Sequence, residues 1–248
     1  VVSRIPKAIV GTWAVLAILA VGLVLCAAQR PAGATSTATA ASLYREAMAT
    51  TTRWRVHYSS KSNTANVPFS ESGDAGPASG TQAILIGRGA TLDQATLIVI
   101  GDLTFVKGNE RAMEDLTGLT PAAARSSMGQ WILFSSNNPI FAQVVVGVRS
   151  HDVAKEVALK GPYRLGASRQ LDGYKVDAVR GTVKLQGKRT GAVLYVRASG
   201  RHELVEEDTV NGKGKPNGDE HIVFSKWGEP VKPRAPAASL TLGSVSSA

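Results

Sequence analysis

Hydrophobic and polar positions change their spacing several times along this 248-residue chain, and each change marks an element. Residues 8–29 carry no charge; Arg4 and Lys7 precede them and Arg30 follows. A run of about 20 such residues crosses a hydrocarbon core as a helix. Basic residues stay on the cytoplasmic side, so the remainder is exported. Residues 1–30 are therefore read as a signal or transmembrane anchor, and the small residues 31–42 as a flexible linker. Leu43 with Ala47 and Tyr44 with Met48 then take i,i+4 spacing, which predicts a helix over 42–52 capped by Ser42. The period drops to two at Trp54, Val56 and Tyr58, predicting a half-buried strand.

Residues 63–80, rich in Asn, Ser, Gly and Pro, read as a mobile loop or distorted hairpin. Strand patterns follow at 82–86, 91–100, 103–107 and 130–134, with tight turns between the first three. Helical spacing predicts helices at 110–117, 121–127 and 151–159. Strands resume at 163–167, 174–185, 192–198, 203–210 and 220–227, punctuated by Asp172-Gly173, Gly187-Lys188 and Ser199-Gly200. About ten antiparallel strands around a few central helices make an α+β domain over residues 43–232. A sheet of that size curls, and the helices are available as a lid. Leu97-Ile98-Val99-Ile100 is apolar at every position, so both faces of that strand need cover. Residues 233–248, rich in Pro, Ser and Ala, read as a tail.

Composition narrows the functional classes. Cys26 is the chain's only cysteine, so no intramolecular disulfide forms and packing alone holds the fold. It lies in Leu23-Val24-Leu25-Cys26, which resembles a bacterial lipobox, but Leu25 stands where a small residue belongs. Cys26 is thus a weak candidate for lipidation beside the apolar anchor, and Ala32-Gly33-Ala34 offers a cleavage site for a secreted form. The net charge is +9; without Arg4, Lys7 and Arg30 it is +6, scattered rather than striped. That distribution suits an anionic membrane surface, and it lacks the basic module a nucleic acid requires.

Catalytic signatures are sparse. His57, His151, His202 and His221 stand far apart, and neither paired cysteines nor a Gly-x-Ser-x-Gly elbow occurs. Glu206-Glu207-Asp208 falls in a strand pattern where neighbours face opposite sides, and reads as a solvated edge. Gly212-Lys213-Gly214-Lys215-Pro216-Asn217-Gly218 lacks the spacing of a phosphate loop and reads as a hairpin tip. The chain is therefore expected to be a non-enzyme, with neither cofactor nor metal.

Phe224-Ser225-Lys226-Trp227-Gly228-Glu229-Pro230-Val231, followed by Ala235-Pro236, resembles the closing strand of actinobacterial envelope lipoproteins of the LppX/LprG type. Phe105-Val106-Lys107-Gly108, Gly129-Gln130-Trp131 and Pro139-Ile140-Phe141 are similar to that family's transitions into and out of its helical section. The family is related in fold to the LolA and LolB lipoprotein carriers. The resemblance implies a half-barrel, a strongly curved antiparallel sheet with an apolar hollow lidded by helices. It implies a bound acylated lipid or glycolipid, envelope lipid transport, and a domain held outside the plasma membrane, with an envelope protein as a further partner. Leu97, Val99, Phe105, Trp131, Leu133, Phe141 and Val145 are the candidate walls or lid of such a cavity. The alternative is an interaction or structural module with the same fold and a filled core.

Overall fold

The computed structural model describes residues 33–64, 67–138, 141–145, 147–185 and 187–246. The apolar run 8–29 and Cys26 lie outside them. Among the described residues no helix is long and apolar enough to cross a membrane.

In chain order the elements are α1 (Gly33–Arg53), β1 (Val56–Thr64), β2 (Val67–Ala75), β3 (Ser79–Ile86), β4 (Asp93–Ile100) and β5 (Leu103–Gly108). Then come α2 (Glu110–Thr117), α3 (Pro121–Ser126), β6 (Ile132–Ser135), α4 (Phe141–Val144) and α5 (Ser150–Glu156). The chain closes with β7 (Lys160–Leu165), β8 (Arg169–Leu171), β9 (Tyr174–Leu185), β10 (Lys188–Arg197), β11 (Leu204–Val210), β12 (Pro216–Ser225), β13 (Leu240–Thr241) and α6 (Leu242–Ser246). All thirteen strands join one sheet in the order β13-β6-β5-β4-β3-β2-β1-β12-β11-β10-β9-β7, with β8 also on the edge of β9. Neighbours are antiparallel except β13 and β6. The fold is α+β, a large open sheet curled around helices on one side, as the alternating pattern predicts.

Three segments differ from that pattern. Helix α1 begins at Gly33 rather than at Ser42, so most of the expected linker is helical. Alanine is the best helix former, and the buried stripe starts early: Ala40, Leu43, Ala47 and Thr51 follow one another at helical spacing and pack inward. The hairpin, one of the two forms expected at 63–80, is regular rather than distorted, with β2 pairing β1 along its whole length. The expected tail contributes β13 and α6: the Leu240 N–H donates to Trp131 O at 2.8 Å, and Val245 is buried. Short paired segments leave little periodicity to read.

The central helices are set by their caps. Asn109 Oδ1 accepts from Ala112 N–H at 3.0 Å to start α2, and Gly118, left-handed at φ 69°, ends it. Thr120 caps α3, with Pro121 in its first turn.

Two large apolar clusters occupy the concave side. One joins α1 and α5 to β1, β9, β10, β11 and β12 through Leu43, Tyr44, Val157, Leu194 and Phe224. The other joins α2, α3, α4 and α6 to β4, β5 and β6 through Leu97, Met113, Ile132 and Phe134. A third, smaller cluster around Val193 and Tyr195 backs β9–β11 on the convex side.

Candidate functional site

Cross-strand partners share a face of the sheet, so the ladder registers trace rows across the concave surface. One row runs Val179, Leu194, Glu207, Ile222, Ser60, Glu71, Ile84, Ala95 from β9 to β4. It is apolar at both ends and polar in the middle. The neighbouring row places Phe224, Tyr58, Gly73, Gln82, Leu97, Val106 and Ile132 side by side. On the other flank lie Glu220, Ser62 and Phe69. Between the two apolar clusters the concave face therefore carries a polar band on β1–β3 and β11–β12.

Tyr58 organises the band. Its hydroxyl donates to Gly147 O at 2.9 Å and accepts from Gln82 Nε2 at 2.8 Å; the same amide donates to Glu71 Oε2 at 2.9 Å. The segment between α4 and α5 comes down onto the sheet here. A Cβ on Gly80 would sit 2.0 Å from Val148 O, and one on Gly147, at φ +79°, 2.8 Å from Gln82 Nε2. Only glycine permits both approaches. The Gly147 position is also 3.5 Å from Glu156 Oε2, so Glu156 of α5 reaches the same band.

Four carboxylates thus share the band: Glu71, Glu156, Glu207 and Glu220. None forms an ion pair among the described residues. Burial pushes the Glu71 carboxyl up to about 7, with the Glu220 charge adding to it. Glu207 and Glu156 rise well above the usual carboxylate range, first from burial and then from one another's acidic neighbours. Burial raises Glu220 as well. Burial, and then the neighbouring Tyr163, holds the Tyr44 hydroxyl of α1 above its usual range, with a smaller contribution from Glu207.

The seven candidate lining residues divide between the two faces. Leu97 and Val99 are 1% and 0% exposed on the concave side, and Phe141 and Val145 pack into the same cluster. Phe105 and Leu133 pair with each other one register step away, on the convex face. Trp131, beneath the Lys107 ammonium at 5.9 Å, sits at the convex end of the same strands. The sheet separates these three from the hollow, because in a strand adjacent residues face opposite sides. Both β4 faces are covered, as its unbroken apolar run requires: Ile98 and Ile100 are half-buried.

Sequence reasoning missed the polar band. Its signal was the buried Glu207 inside Glu206-Glu207-Asp208, which is no solvated edge: β11 lies between β10 and β12. Glu206 and Asp208 turn to the convex face and meet His221, a trio close enough together to ligate a cation. Protein groups already serve them, since Arg169 Nη2 lies 2.8 Å from Glu206 Oε1 and His221 Nδ1 2.8 Å from Asp208 Oδ1. The Gly/Lys segment at 212–218 does form a hairpin tip between β11 and β12, closed by Asn211 N–H to Lys215 O. A cleft of about 260 Å³ on the convex side, lined by His57, Asp74, Thr81 and residues 229–233, lies under the segment after β12.

No family model matches the chain. No curated protein matches it either. Solved structures do. LprF from Mycobacterium bovis superposes with a TM-score of 0.51 at 17% identity, over 82% of this chain and 99% of that one. The chain shares the LprF fold. The lipoprotein LppX from Mycobacterium tuberculosis matches more loosely, at a TM-score of 0.44, 16% identity, and 79% and 99% coverage. MucB matches with a TM-score of 0.40 at 15% identity, over 81% of this chain and 64% of that one. The resemblance to LppX/LprG-type lipoproteins read from the sequence holds at the level of fold.

Proposed function

We propose that this chain is an exported, membrane-tethered, non-catalytic envelope protein that holds the acyl portion of a lipid or glycolipid against the concave face of its sheet. The observation carrying this reading is a large, curled antiparallel sheet whose β4–β6 flank is roofed by separate short helices. The shared LprF fold supports it. Each buried methylene contributes about 0.8 kcal/mol, so an acyl chain displaced from a membrane gains most from a dry wall such as Leu97, Val99, Phe141 and Val145. Helices α2, α3 and α4 have eight, six and four residues, short enough to shift as units without unfolding the sheet. Residues 8–29 supply the anchor; lipidation of Cys26 is the weaker alternative, and α1 starts close behind either. Native mass spectrometry of the full chain released gently from its membrane tests the proposal. A bound mass of lipid size is the expected result. An unliganded chain that also takes up no acylated probe would overturn it.

A second reading keeps the fold and makes it an envelope interaction or structural module. The tight packing of both apolar clusters favours it. Its expected result in the same experiment is a bound protein and no lipid.

A further inference from the structure

The polar band is built at a cost that the fold does not need. Glu207 is 1% exposed, and neither of its carboxylate oxygens has a hydrogen-bond partner. Leu194 and Ile222 flank it on the adjacent strands, so a leucine or methionine would pack there. Buried polar groups are normally satisfied, yet the same band holds three more acceptors without donors. Glu71 Oε1, Gln82 Oε1 and Ser60 Oγ are all unpaired on residues 7%, 2% and 1% exposed. Ser60 is the register partner of both Glu71 and Ile222, so Ser60 and Glu71 stand side by side on the face that carries Glu207 one strand beyond Ile222. With its carboxyls ionised, the band carries a surplus of acceptors and of negative charge.

A ligand group that answers such a surplus is a multiple donor with positive charge. An ammonium offers three N–H donors on a compact cation. A phosphate or carboxylate would add repulsion, and a sugar hydroxyl would bring acceptors of its own. The apolar clusters on both sides give an attached chain somewhere to lie.

We infer that the band formed by Ser60, Glu71, Gln82, Glu156, Glu207 and Glu220 is a headgroup subsite for a protonated amine, so that the ligand of the hollow is an amine-bearing amphiphile. The inference rests on the lipid-holding reading and specifies its headgroup. On one face of the sheet Glu71 lies one strand from Ser60 and Glu207 two strands away on the other side, while Glu156 reaches the band from α5.

Photolabelling tests this. The full chain is placed in phosphatidylcholine nanodiscs and labelled with dodecylamine carrying a diazirine in its chain. Unlabelled dodecylamine, dodecyl glucoside and dodecyl phosphate compete, each below its micellar concentration. Dodecylamine should compete at least about tenfold better than the other two, the scale of one charge-assisted contact. Glu207→Gln and Glu71→Gln, which keep the side-chain shape, should each bring that preference to within about twofold. Comparing variant with parent chain cancels partition into the nanodisc. Equal competition by all three, or an amine preference unchanged in both variants, overturns the inference and leaves the lipid-holding reading standing. Labelling that none of the three competes for removes the lipid-holding reading, and the inference falls with it. Thermal melting verifies folding, since both variants remove repulsion and should melt at or above the parent temperature.

Discussion

The two flanks of the concave face and the band between them obey the same strand alternation, yet they are built by opposite rules. Under α2–α4 the inward positions are mostly apolar and closed: Leu97, Val106 and Ile132 pack in one buried cluster, and among them Thr104 leaves one hydroxyl unpaired. On β1, β2 and β11 the inward positions Ser60, Glu71 and Glu207 are equally buried but chemically unfinished. The first region stabilises the fold. The second destabilises it, and a cost retained at the centre of a sheet is where a ligand is to be sought.

The largest expected contrast comes from truncating the closed flank. Leu97→Ala leaves a cavity between β3, β5 and the helices and should cost about 3 kcal/mol in denaturant unfolding. The same measurement on the band should run the other way. Glu207→Gln removes a buried, unpaired acid whose ionisation the fold opposes and should raise stability at pH 8 by about 2 kcal/mol. A loss instead would mean that Glu207 has partners in solution.

Acidity separates the regions in between. The folded Glu71 carboxyl titrates near 7 against an ordinary 4.5, so the folded chain binds more protons between those values. Stability from this group is complete below about pH 4.5 and is lost as pH rises through 7, by about 3 kcal/mol in all. Glu156, Glu207 and Glu220 act in the same direction; Tyr58, Tyr44 and Asp152 are the other acidic groups beside them, and Asp208 adds to Glu207 from the opposite face of β11. Thermal melts from pH 5 to pH 8 should therefore fall, and Glu71→Gln should flatten the slope. Leu97→Ala should shift the whole curve down without changing its slope. The smallest effect belongs to the roof: Asn109→Ala removes the α2 cap at about 1 kcal/mol and should speed amide exchange in α2 while leaving α5 unchanged.

Much of the frame was legible in the residue pattern. Tyr174 to Leu185 and Glu110 to Thr117 appear in the structure over the spans that their periodicities predict, because each has a continuous pattern and a clear stop. Ala40 and Val245 hid in small-residue segments where composition mimics a linker or a tail. The divided lining set has a similar cause: Phe105 and Leu133 are as apolar as Leu97, and only register decides which face receives them. Glu207 was hidden by its neighbours, since three acidic residues in a row read as surface until β12 and β10 are known to pair on either side.

The central claim is that an acyl chain enters the concave side beneath the roof of β4–β6. Hydrogen exchange of the full chain in nanodiscs, with and without an acylated lipid, tests it most directly. The account predicts altered protection in α2, α3, α4 and the inward strand β4, with β9 and β10 unchanged. Protection changes confined to the convex cleft at 229–233, or none in α2–α4, would contradict it.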